Sequence, residues 1–192
     1  MNKSIKKEIK NLSPRPPIVV VMGHIDHGKS TLLDYIRKTS VVEKEEGGIT
    51  QHISAYEAEV MIGKQKRKVT FLDTPGHEAF CSIRERGAQV ADIAVLVISV
   101  EDGVKPQTLE ALDCINKSAM PFIVALNKID RQGINIDKAK QNLAENGVLV
   151  EGWGGTVPAV AISAKTGEGV ADLLDMIALQ SDMEELTGNL SA

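Results

Sequence analysis

The sequence predicts an α/β domain with a mostly parallel sheet, helices on both faces and one antiparallel edge strand. Three observations carry this reading. Short apolar, β-branched runs recur at residues 18–22, 69–72, 93–100, 122–126 and 159–162, without polar alternation. Such strands are buried on both faces. Helical patterns lie between them at 30–38, about 77–89, 106–117, 137–146 and 170–179. That is the rhythm of strand–helix–strand crossovers. The exception is 53–62, which passes through "GKQKRK" into the 69–72 run with no helix between. A glycine-containing turn between two strands reads as a hairpin.

At 192 residues and 43% hydrophobic, the chain suits one core. Residues 1–15 hold Lys3, Lys6, Lys7, Lys10 and Arg15 and run into "PRPP". They read as a basic, flexible lead-in closed by stiff prolines. The main domain spans 16–180, and 181–192 read as a tail or the start of a linker. With 22 basic and 26 acidic residues the net charge is −4, against binding nucleic acid through a broad basic face. The cluster Lys64, Lys66, Arg67 and Lys68 reads as a solvated hairpin tip. Cys81 and Cys114 have no metal-like spacing and read as reduced thiols of a cytoplasmic protein. The longest apolar runs are strand-sized, so no membrane span is expected. The polar, lysine-rich N-terminus does not read as a secretory signal.

The first strand leads into "GHIDHGKS" at 23–30, and a helix follows. Gly23, Gly28, Lys29 and Ser30 fit G-x-x-x-x-G-K-[ST]. In that geometry the backbone N–H groups of a loop including His24, Ile25, Asp26 and His27 surround phosphates at a helix N-terminus. Lys29 then spans the β- and γ-phosphates, Ser30 offers a hydroxyl to Mg²⁺, and Thr31 reaches the α-phosphate. His24 and His27 read as loop fillers, since a cradle works through backbone N–H groups.

The 122–126 strand ends in "NKID", where open α/β sheets bind ligands. The Asp130 carboxylate can accept both the ring N–H and the exocyclic amine of guanine, whereas adenine presents an acceptor there. The Lys128 stem can cover the base, and Asn127 can tie the loop to the cradle. "SAK", comprising Ser163, Ala164 and Lys165, follows the next strand. It places the Ala164 N–H near the guanine oxygen. In "DTPGHEAF" the 69–72 run delivers Asp73, which reaches Mg²⁺ through water, and Gly76 lets its N–H approach a γ-phosphate. In "GGIT" at 47–50, Thr50 can offer its hydroxyl to Mg²⁺ and its N–H to the γ-phosphate. That loop would then order and disorder with nucleotide state. His52 has no assigned role, and Trp153 reads as a packing or surface anchor.

From about 15 to 180 the chain resembles the translational GTPases, on the initiation-factor branch. The segments "GHIDHGKSTLLDYIR", "EEGGITQHISAY", "VTFLDTPGHEAF", "RGAQVADI", "DGVKPQT" and "VEGWGG" carry the likeness. The resemblance implies a P-loop NTPase fold of the Ras-like GTPase kind, with GTP and GDP as substrate and product and Mg²⁺ as cofactor. It implies that His77 orients the attacking water, flanked by Ile25 and Ile49. It also implies that Asp26 ligates a monovalent cation, K⁺ or Na⁺, although Asp26 could simply satisfy loop N–H groups. The implied partner is the ribosome, through large-subunit RNA near the GTPase centre. Initiator tRNA would be reached only through domains that this chain does not carry. A monomer is expected. The implied function is a switch that promotes initiator tRNA placement and subunit joining. Two alternatives stay open: a nucleotide-binding module without useful turnover, and a ribosome-assembly GTPase. Such assembly factors commonly have an apolar residue at the position of His77, which weighs against the second.

Overall fold

The computed structural model describes residues 12–40, 54–62, 65–73 and 91–189. Among the described residues six strands form one sheet, in the order β3 (Ser54–Ile62), β4 (Gln65–Asp73), β2 (Ile18–Met22), β5 (Ile93–Ser99), β6 (Phe122–Asn127) and β7 (Ala159–Ala161). Strands β2, β4, β5, β6 and β7 run parallel. Strand β3 pairs antiparallel with β4 at the edge. All seven residues of β5 are buried, which explains its unbroken run of apolar and small residues.

Successive strand residues face opposite sides, and β2 divides its valines accordingly. Val19 and Val21 pack with Leu32, Leu33 and Ile36 of α1 (Lys29–Thr39) and with Leu173 and Ile177 of α4 (Val170–Met183). Val20 and Met22 pack with Ala111 and Ile115 of α2 (Pro106–Lys117) and with Leu143 of α3 (Ile136–Glu145). Among the described residues, two helices therefore cover each face, and the helix expected at about 77–89 lies outside them. The register sets Val19 opposite Phe71 on one side and Ile93 on the other. The carboxyl ends of the parallel strands consequently share one edge of the sheet.

Several expectations change. Strand β4 begins at Gln65, so Lys66, Arg67 and Lys68 belong to the strand rather than the hairpin tip, with Lys66 and Lys68 exposed to solvent as expected; Lys64 lies outside the described residues. Their charges are matched: Lys66 with Glu59 at 3.1 Å, Lys68 with Glu57 at 2.7 Å and Arg67 with Asp182 at 2.7 Å. Helix α4 runs past 179 to Met183, and β8 (Thr187–Asn189) then pairs antiparallel with β1 (Leu12–Pro14). Segments read as a flexible lead-in and a linker thus hold each other through a ladder between opposite ends of the sequence. Beside it, the Arg15 guanidinium grips the Asp92 carboxylate with two 2.7 Å bonds, and that carboxylate also accepts the Ile18 N–H at 2.8 Å. Cys114 is buried on α2, and Cys81 lies outside the described residues.

Candidate nucleotide-binding site

Strand β2 ends at Met22, the 23–28 loop turns, and α1 opens at Lys29. Both motif glycines are required by the backbone. Gly23 has φ +138, and a Cβ there would sit 2.3 Å from the Val97 carbonyl oxygen. Gly28 has φ +94, and its Cβ would lie 2.2 Å from Asn127 Nδ2. The first glycine packs the loop onto β5, and the second makes room for the base-side asparagine. Between them Asp26 holds a left-handed backbone at φ 64. Lys29 Nζ folds over the loop and donates to the Gly23 and His24 carbonyls, each at 2.7 Å. Ser30 and Thr31 stand exposed at the head of α1. The first turn of that helix holds no acidic residue, so its positive end is open to an anion.

His27 is 1% exposed, and neither of its ring nitrogens meets a hydrogen-bond partner in good geometry. His24 lies edge-on, with ring centroids 5.0 Å apart. Burial lowers the His27 pKa to about 4, helped by His24 and Lys128 and opposed by the Val97 backbone and Asp102. The buried ring is neutral at pH 7 and fills the inside of the loop.

Asn127 joins the site. It is 2% exposed. Its Nδ2 donates to the His27 carbonyl at 2.8 Å, and its Oδ1 accepts the Ala164 N–H at 2.9 Å. One side chain thereby binds the cradle, the end of β6 and the loop after β7. The Ala164 N–H, expected at the guanine oxygen, has Asn127 as its acceptor here. Asp130 is exposed, and Ser163 Oγ donates to its Oδ1 at 2.7 Å. That bond, with Lys165 and Arg131 nearby, holds the carboxyl below its ordinary range. Ser163 itself is fully buried and also accepts the Thr166 N–H. Lys128 holds a left-handed backbone at φ 71.

Thr50, Gly76, His77 and Ile49 lie outside the described residues. The backbone of Asp73 ends β4, and its side chain lies outside them as well. Sequence reasoning missed the role of the loop after β5. Asp102 lies 3.4 Å from Lys128 Nζ, and its carboxyl is lowered first by a hydrogen bond from Ser99. Gln107 Oε1 accepts the Ile25 N–H at 3.0 Å. The available signal was position, since this loop leaves the carboxyl end of a central parallel strand.

A phosphate cradle at the first strand–helix turn, bonded to a carboxylate-bearing base loop on the same sheet edge, defines a P-loop GTP-binding domain. Residues 15–181 match the family model described as the elongation factor Tu GTP binding domain, and the chain belongs to that family. It is 57% identical to translation initiation factor IF-2 of Clostridioides difficile (strain 630), over 94% of this chain and 27% of that protein. It is 54% identical to IF-2 of Synechococcus sp. (strain JA-3-3Ab), over 95% of this chain and 18% of that protein. The chain thus spans about a quarter or less of the length of these relatives. The crystal structure of GDP-bound aIF5B from Aeropyrum pernix superposes with TM-score 0.70 at 35% identity, covering 89% of this chain and 36% of that one. These likenesses make the chain a translation-factor G domain of the IF-2 kind. The family carries GTPase activity, with GTP and GDP and typically Mg²⁺. Among the described residues no helix is long and apolar enough to cross a membrane.

Proposed function

We propose that this chain is the switch domain of a translation initiation factor, hydrolysing GTP slowly until the ribosome engages it. The observation that carries the reading is the buried Asn127 amide, which joins the phosphate cradle and the base loop into one site. The domain is taken as 16–180, with 1–15 leading in and 181–192 leading out.

Asp130, kept ionised by Ser163, accepts two guanine N–H bonds, while Lys128 covers the base. The cradle N–H groups and Lys29 bind the phosphates. Ser30, Thr50 and Asp73 (through water) offer the hard oxygen chemistry that suits Mg²⁺, and the exposed Ser30 hydroxyl at the head of α1 fits that use. Bound there, the metal would neutralise phosphate charge. Asp26 is the candidate for K⁺ or Na⁺. His77 orients the attacking water, and Thr50 and Gly76 sense the γ-phosphate.

The ribosome, through large-subunit RNA near the GTPase centre, is the proposed activator. Initiator tRNA placement and subunit joining would belong to the complete factor. We take the domain to be monomeric and cytoplasmic. Single-turnover GTP hydrolysis with and without ribosomes tests the reading. The isolated rate should lie at about 10⁻⁴–10⁻² s⁻¹ by analogy with unassisted switch GTPases, and ribosomes should raise it in the complete factor. Equal affinity for ATP and GTP would remove the base-pocket assignment. Unstimulated turnover in a complete factor would favour a plain nucleotide-binding module.

A further inference from the structure

We propose that Gln107 is a positioning residue for nucleotide binding, holding the phosphate cradle in shape through the Ile25 amide. The inference rests on the GTP-binding reading above. The cradle tip is fastened from outside on both sides of the left-handed Asp26. Asn127 holds the His27 carbonyl on one side, and Gln107 Oε1 holds the Ile25 N–H at 3.0 Å on the other. A left-handed aspartate is disfavoured in isolation and persists when its surroundings over-determine it. Ile25 is 60% exposed, so packing does little to hold it, and the Gln107 bond is its visible anchor.

The anchor is itself well fixed. Pro106 opens α2 at its first turn, where its lack of an N–H is harmless. The Lys105 N–H donates to Thr108 Oγ1 at 3.2 Å, and the Thr108 N–H returns to the Lys105 carbonyl at 2.8 Å. Thr108 is fully buried. Upstream, the Val104 N–H is held by Asn142 Oδ1 at 2.7 Å and the Gly103 N–H by the Ser99 carbonyl at 2.9 Å. The loop therefore delivers Gln107 to the cradle in a set position, and "KPQT" gains a physical role.

The test uses the whole chain with Gln107→Met, which keeps length but removes the acceptor, and Gln107→Glu, which keeps an acceptor. Release of fluorescent mant-GDP should accelerate about 3–10-fold in Gln107→Met, the scale of one lost hydrogen bond. Gln107→Glu should remain within about threefold of wild type. Preference for guanine over xanthine nucleotides and the nucleotide-free melting temperature should not change. The Ile25 amide should exchange with solvent faster in Gln107→Met, with or without nucleotide. Wild-type release rates and Ile25 exchange in Gln107→Met would overturn the role of Gln107 alone. Faster release with a lowered melting temperature and no rescue by Gln107→Glu would also overturn it, marking a merely structural residue. A wild-type chain that fails to retain mant-GDP would overturn the GTP-binding reading as well.

Discussion

Lowering the pH from 8 to 5 should destabilise this domain through one buried ring. His27 is 1% exposed and its pKa falls to about 4, mainly by burial, whereas an unfolded histidine titrates near pH 6.5. The folded pKa is depressed, so between those values the unfolded chain binds more protons, and stability falls as the pH drops. Above about pH 6.5 the effect is absent, at pH 6 it is about 1 kcal/mol, and at pH 5 about 2 kcal/mol. Across the whole window it approaches about 3 kcal/mol, a large share of a typical domain's stability. The groups that face the ring pull in both directions: His24 and Lys128 deepen the shift, and Asp102 and the Val97 backbone relieve it. Asp102 and Asp130 are held low by their serine bonds, and their own contributions are lost only below about pH 4, outside this window. Urea unfolding at pH 8, 6 and 5 compares wild type with His27→Gln, which cannot titrate. Gln at a buried site lowers stability at every pH, so the change with pH is what is read. The wild type should lose about 2 kcal/mol more than the variant between pH 8 and 5. Parallel pH dependence in the two proteins would refute the reasoning and mean that the ring is solvated in solution.

Asp130→Asn should shift preference from guanine toward xanthine nucleotides, with each mismatched bond worth about 1–3 kcal/mol; competition binding checks this. Asp92→Ala leaves the Arg15 guanidinium and the Ile18 N–H without their shared acceptor, and denaturant unfolding should show a loss of about 1–3 kcal/mol. His77→Ala should leave GTP affinity and basal turnover nearly unchanged, yet slow ribosome-stimulated hydrolysis in a complete factor by roughly 10²-fold or more. Single-turnover kinetics with ribosomes decides that case.

The sequence by itself determined whatever is local. "GHIDHGKS", "NKID" and "SAK" are contiguous, and each sits where an apolar run ends, so the cradle and base loop could be placed on strand ends before any coordinates. The two-sided burial of β5 was legible for the same reason, since an unbroken apolar strand has no solvent face. The hairpin was read from one turn, but its basic strand was mistaken for a tip, because the matching acids lie across the ladder and on α4. The Asn127 tie to the cradle was legible in the motif, but its acceptor, the His27 carbonyl 100 residues away, came only from the tertiary structure, as did the Gln107 bond to the Ile25 amide across 82 residues and the Arg15 grip on Asp92 across 77. Strands β1 and β8 join opposite ends of the sequence in the same way. Local propensity and periodicity carry no record of such bonds. The Gln107 amide reads as a polar surface group until the parallel register of β2 and β5 brings the Ile25 N–H to 3.0 Å from it.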